Sequence, residues 1–151
     1  MKLSAKTEYG IQALLELASR NGDAPAQAKS IAQRQNIPYR FLEQVLNNLR
    51  KAGLIESIRG AQGGYTLARP ASEIRISDVL EAVEGGSASP IRPNGTADSP
   101  YPGSDFSGEI LSPILREIET TVSSILDRFT IQYLFKRKRE LEQTRNMMFH
   151  I

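Results

Sequence analysis

Between Tyr39 and Lys51 the string YRFLEQVLNNLRK sets two chemistries on opposite sides of one candidate helix. Phe41, Leu42, Val45, Leu46 and Leu49 recur at three- and four-residue spacing, the signature of a buried stripe. Arg40, Glu43, Gln44, Asn47 and Lys51 then fall on the other face. Such side chains can read or hold a nucleic acid: Glu accepts from cytosine N4, Gln pairs bidentately with adenine, and Arg forks onto guanine or holds a phosphate. A polar face that is merely solvated is the alternative for each of them. Tyr39, Lys6 and Lys51 suit phosphate contacts, which fix register without carrying sequence information. Arg59 precedes the glycine-rich GAQGG, where a backbone can approach a groove closely and a guanidinium can project into negative potential.

Other chemistries lack their equipment. The sequence has no cysteine and one histidine, His150, so it offers no disulfide framework, no cysteine metal site and no histidine-based catalytic pair or triad. An enzyme is not expected, nor is a cofactor or a metal. The Gly63-Gly64 pair has no following Lys-Ser/Thr and reads as a tight turn needing positive φ, rather than a phosphate cradle. MKLSAKTEYGIQ contains no apolar signal core, and no stretch of some 18 apolar residues offers a membrane span, so a cytoplasmic protein is expected.

Charge is unevenly spread. Residues 1–75 carry 11 Lys and Arg against 6 Asp and Glu, residues 76–135 carry 3 against 9, and residues 136–151 carry 5 against 2. A basic front half suits a polyanion partner, because neutralising phosphates releases condensed counterions.

The elements that must hold these residues follow in order. Ser4 is an N-cap for a first helix with Leu14, Leu15, Leu17 and Ala18 inward, stopped at Asn21-Gly22. A second short helix runs from about Ala26 to Gln35 and ends at Asn36, and the third starts at Pro38 and closes at Gly53. That pair has helix-turn-helix spacing. LIESIRGAQGGYTLA reads as a hairpin, with strands at Leu54–Ile58 and Tyr65–Leu67 around a turn at Gly60–Gly64. Helix-turn-helix plus hairpin makes a winged helix. Ser77-Asp78 is expected to cap a fourth helix that turns Ile76, Val79, Leu80 and Val83 inward and stops at Gly85-Gly86.

Residues 87–106 hold four prolines and many small polar residues, which predicts an irregular, flexible loop. Beyond it Ile110, Leu111, Ile114, Leu115, Ile118, Val122, Ile125, Leu126 and Phe129 describe one amphipathic helix of roughly 20 residues and about 30 Å. Pro113 is tolerable only near its first turn. A small winged-helix core cannot cover so long a stripe, so Ile114, Leu115, Ile118, Val122, Ile125, Leu126 and Phe129 are candidates for pairing with a second copy. The alternative is packing back on the same domain. The tail KRKRELEQTRNMMFHI is basic, then amphipathic. The expected division is 1–84 winged helix-turn-helix domain, 85–108 loop, 109–135 dimerisation region and 136–151 tail.

Together, MKLSAKTEYGIQALLELA, IPYRFLEQVLNNLRKAGLIESIRG, GGYTLARPASEIRISDVLEAVEG and the late FTIQYL resemble the Rrf-two family of bacterial regulators, which includes IscR-like, NsrR-like and CymR-like proteins. The match covers about residues 1–135. The resemblance implies a mainly α fold with a small β-hairpin wing, working as a homodimeric, sequence-specific DNA-binding transcription regulator, a repressor on a roughly palindromic operator. It implies that the third helix enters the major groove with Glu43 and Gln44 as base readers, and that Arg59 enters the minor groove. Arg40 stands where small polar residues are common, a departure that bears on the operator. Cluster-binding members place three cysteines in the loop after the fourth helix, where this chain has Ser, Asp and Tyr. A natural cluster-free regulator and a variant with Cys replaced both fit, and the input is left open between a small effector, a partner protein and nothing beyond expression level. The rival from another class is a winged-helix protein-interaction scaffold without specific DNA readout.

Overall fold

The computed structural model describes residues 3–20, 24–85 and 110–150. The expected stop at Asn21-Gly22, Gly86 and the expected loop at 87–106 lie outside the described residues. Helix α1 (Ala5–Ser19) begins where Ser4, in extended conformation, accepts the Thr7 N–H at 3.2 Å, an N-cap that satisfies a free amide of the first turn. Its buried face carries Ala13, Leu14 and Leu17. Gly10 lets α1 lie close to its neighbours: a Cβ there would stand 3.3 Å from Val83 and 3.5 Å from Val45.

Helix α2 (Ala28–Gln35) starts two residues later than expected. Ala26 is drawn into backbone pairing with Tyr65 instead, donating to its carbonyl at 3.0 Å and accepting its N–H at 2.8 Å. A buried backbone group needs such a partner, and this pairing overrides the helical preference of alanine. Asn36 closes α2 in the left-handed region at φ 53°. Helix α3 (Tyr39–Lys51) follows, with Pro38 at its N-cap and Leu42, Val45, Leu46 and Leu49 fully buried. Phe41 corrects the expected stripe. It is 49% exposed, because it precedes the first buried turn and coverage begins at Leu42.

Strands β1 (Ile55–Ile58) and β2 (Gly64–Leu67) pair antiparallel with Ile55 opposite Leu67 and Ser57 opposite Tyr65. Leu54 and Ile55 are buried, whereas Ser57, Ile58 and Arg59 are exposed, so the hairpin is rooted in the core and projects its tip. Both turn glycines are required by close backbone approach: a Cβ on Gly63 would meet the Ile58 carbonyl oxygen at 2.1 Å, and one on Gly64 the Ala26 carbonyl oxygen at 2.5 Å. Of the pair, the expected positive φ belongs to Gly64 alone, at +150°.

After a short 3-10 turn (Ala71–Glu73), helix α4 (Ile76–Glu84) buries Ile76, Val79, Leu80 and Val83, as its spacing predicts. Its N-cap is Arg75 rather than Ser77-Asp78. Asp78, in the first turn, reaches back to accept the Arg75 N–H at 2.8 Å, and Ser77 donates instead to Asp127. Gly85 ends α4 at φ 71°.

The expected helix over 110–129 is shorter than its apolar pattern, and a second helix follows it. Helix α5 (Ser112–Leu126) has 15 residues with Pro113 in its first turn, and α6 (Ile131–Phe149) has 19. Between them the chain is pinned to the core: the Ile76 N–H donates to Phe129 O and the Ile131 N–H to Ile74 O, both at 2.9 Å. Thr130 caps α6 by accepting the Tyr133 N–H at 3.1 Å. Ile131 is wholly buried, which contributes about 1.5–3 kcal/mol to anchoring α6. The expected boundary at residue 135 falls inside α6, whose N-terminal turns pack against α1 and whose later turns are the basic tail. Among the described residues the result is six α-helices and one two-stranded sheet, a mainly α fold with a β-hairpin wing.

Candidate nucleic-acid interface

Burial of one side of α3 leaves the other side open. Arg40, Glu43, Gln44, Asn47, Arg50 and Lys51 are all exposed, and Tyr39 is 41% exposed at the helix start. Arg40, Gln44, Asn47 and Lys51 follow one another at four, three and four residues, so they form one stripe along the helix. Arg40, with no intrahelical charge partner among the described residues, leaves its fork available.

Two local contacts organise this face. Arg50 donates to Asn47 Oδ1 at 2.9 Å, orienting the Asn47 amide and occupying its acceptor. The Glu43 carboxylate, through a hydrogen bond and its charge, raises the Tyr39 phenol above its ordinary range. Tyr39 therefore stays a neutral hydroxyl beside the carboxylate of the candidate base reader. Arg50 is the residue sequence reasoning missed; its place three residues after Asn47 was the available signal.

The remaining candidates stand on other elements. Lys6 is exposed on the first turn of α1. Arg59 is exposed at the wing tip between Ile58, itself 47% exposed, and Gly60 at φ +119°. Lys51 borders a cleft of about 470 Å³ between α3 and α4, facing Asp78 and Glu81. Along α5, Ile114, Leu115, Ile118 and Ile125 are 37–53% exposed, an apolar row that the chain's own core leaves open. Val122 is partly covered, and Leu126 and Phe129 pack against the chain's own core, Phe129 with its ring 5.2 Å from Tyr133. The open row is thus shorter than the expected stripe.

The family described as Rrf2, iron-dependent transcriptional regulator, matches residues 3–137. The chain belongs to the Rrf2 family. It is 38% identical over 131 residues to a putative HTH-type transcriptional regulator, Rv1287, of Mycobacterium tuberculosis, covering 87% of this chain and 79% of that protein. It is 36% identical over 134 residues to the HTH-type transcriptional regulator CymR of Bacillus subtilis, covering 89% of each. Among solved structures it is similar to T. potens IscR, with a TM-score of 0.69 at 32% identity over 93% of this chain and 90% of that one. It is also similar to CymR (YrzC), the global cysteine regulator of B. subtilis, with a TM-score of 0.66 at 33% identity over 91% and 98%. This Rrf2 chain is a helix-turn-helix transcriptional regulator with a winged-helix fold, a non-enzymatic protein.

The iron in the family's description has to be tested against this chain's donors. Iron-sulfur clusters are held by thiolates, and none of the 151 residues is a cysteine. Among the described residues no three His, Asp or Glu side chains gather as a metal site either. The residues do not fit a thiolate-held cluster. No described helix is long and apolar enough to cross a membrane.

Proposed function

We propose that two copies of this chain pair through α5 and place both α3 helices on one DNA duplex, acting as a sequence-specific repressor in the cytosol without an iron-sulfur cluster. The observation that carries the reading is the division of α3: four fully buried apolar residues on one side and an open row of hydrogen-bonding side chains on the other. In this reading Arg40, Glu43, Gln44 and Asn47 meet base edges in the major groove. Arg59 enters the minor groove from the wing, where negative potential favours a guanidinium. Tyr39, Lys6 and Lys51 hold phosphates and fix the docking angle, with Arg50 steering Asn47.

Dimerisation follows from the open apolar row of α5, which a second copy of the same row would cover around a two-fold axis. A two-fold protein reads a roughly palindromic site with half-sites about 34 Å apart or a multiple of that distance. A compact dimer lying across such a site regulates by excluding other proteins from it, which makes repression the expected sign. The test is an electrophoretic shift against genomic fragments across a range of salt. The proposal expects a small set of fragments retained as salt rises. Equal binding to all fragments, or none even at low salt, is the outcome of a protein-interaction scaffold and would overturn it.

A further inference from the structure

The basic run at Lys136–Arg139 plays no part in the interface above. Its four cations divide by helical position. Arg137 pairs with Glu140 at 3.4 Å and Lys138 with Glu142 at 3.9 Å, both along the exposed side of α6. Lys136 and Arg139, with Gln132 and Phe135, occupy positions i, i+3, i+4 and i+7 and turn to the other side. There they line a solvent-open cleft of about 860 Å³ between α6, the C-terminal end of α1 and the segment that follows β2. Arg20 and Arg69 line its other walls, and among the described residues no Asp or Glu lines the cleft.

Arg20 is not fully engaged. Glu16 is occupied by Arg34 at 3.0 Å and Gln35 at 2.9 Å, and its approach to Arg20 is 3.9 Å. The Arg20 side chain's only other polar contact among the described residues is a long hydrogen bond from Nη1 to Ala24 O at 3.4 Å, so the guanidinium is held loosely at the cleft wall. Two aromatic rings, Tyr65 and Phe135, add apolar walls, and the Arg139 guanidinium lies 5.9 Å from the centre of the Phe135 ring. The volume falls within the roughly 300–1,000 Å³ of small-ligand sites.

We propose that this cleft binds a small organic anion carrying two or more negative charges and an apolar or aromatic body, held by Arg20, Arg69, Lys136 and Arg139. The cleft adjoins β2, one strand of the wing, and the root of α6, so an occupant would bear on both the wing and the end of α5. Its role as an effector rests on the DNA-binding reading above, whereas the binding itself does not.

Calorimetric titration of the full chain without DNA tests the site, using adenosine 5′-monophosphate, citrate and inorganic phosphate as probes. Adenosine monophosphate or citrate should bind saturably, one per chain, with a Kd below about 1 mM at moderate salt, and inorganic phosphate about tenfold more weakly for want of a body. The exposed double variant Lys136→Gln/Arg139→Gln, with unchanged circular dichroism, should lose at least about tenfold in that affinity. Absence of saturable binding by both organic probes overturns the proposal, as does equal binding by the double variant. The same variant should leave the salt dependence of non-specific duplex binding unchanged. A fall of about two in that slope would make the cleft a DNA-phosphate site and overturn the proposal as well.

Discussion

Replacing Ile114 and Ile118 of α5 by alanine attacks pairing without touching the core of one chain. The two side chains are 53% and 37% exposed in the single chain. Full burial of an isoleucine is worth about 1.5–3 kcal/mol, so covering what remains exposed contributes roughly 1 kcal/mol at each position. Two positions in each of two chains give about 4 kcal/mol, or about a thousandfold in the dimer dissociation constant. Alanine has a higher helix propensity than isoleucine, so α5 should keep its helicity. Sedimentation equilibrium over about 1–100 µM, with circular dichroism as the control, measures the effect, since dimer population depends on protomer concentration. The expected result is a dimeric parent chain and a monomeric, folded variant. An unchanged dimer constant in the variant, or a monomeric parent, would refute pairing through this row.

Three further outcomes follow from the candidate interface. Arg59→Ala should weaken DNA binding and reduce the slope of log affinity against log salt by about one unit, read from shifts at several salt concentrations. Glu43→Ala should cost roughly 1–3 kcal/mol on the preferred base with little change in that slope, as measured by competition between single-base operator variants. Gly63→Ala forces the wing turn open, because its Cβ would stand 2.1 Å from the Ile58 carbonyl oxygen. Amide exchange across Ser57–Tyr65 should speed up while the α3 amides stay protected, and equal protection in both would contradict this account of the turn.

What the sequence disclosed depended on how local each signal was. The faces of α1, α3 and α4 were legible because buried leucine, isoleucine and valine recur at helical spacing, while Ser4 marks a start through its side-chain cap and Asn36 and Gly53 mark ends through left-handed conformations other residues adopt less readily. The start of α2 was misplaced because its determinant is non-local: Ala26 pairs with Tyr65, 39 positions along the chain. The end of α5 was placed late, at Phe129 instead of Leu126, for a related reason. Leu126, Phe129 and Ile131 continue an apolar pattern, but Ile74 and Ile76 capture the backbone at Phe129 and Ile131 and force the chain to turn. The α4 cap was misassigned because Ser77 and Asp78 are both good capping residues, and only the fold shows Ser77 spent on Asp127.

The site divided in the same way. Arg40, Glu43, Gln44 and Asn47 could be assigned to one face by counting along a single helix, and the structure leaves all four exposed. The separation of Lys136 and Arg139 from Arg137 and Lys138 could not be read as a functional division, because the far wall of their cleft comes from Arg20 and Arg69, more than 60 residues away.

The claim on which the account depends is that two α3 helices face successive major grooves on one side of a duplex. Hydroxyl-radical footprinting of a retained genomic fragment measures this directly. The account predicts two equivalent protected segments centred about one helical turn, ~34 Å, or a whole multiple of it apart, both lost together in the Ile114→Ala/Ile118→Ala variant. A single protected segment, or two whose spacing falls on opposite faces of the duplex, would contradict it.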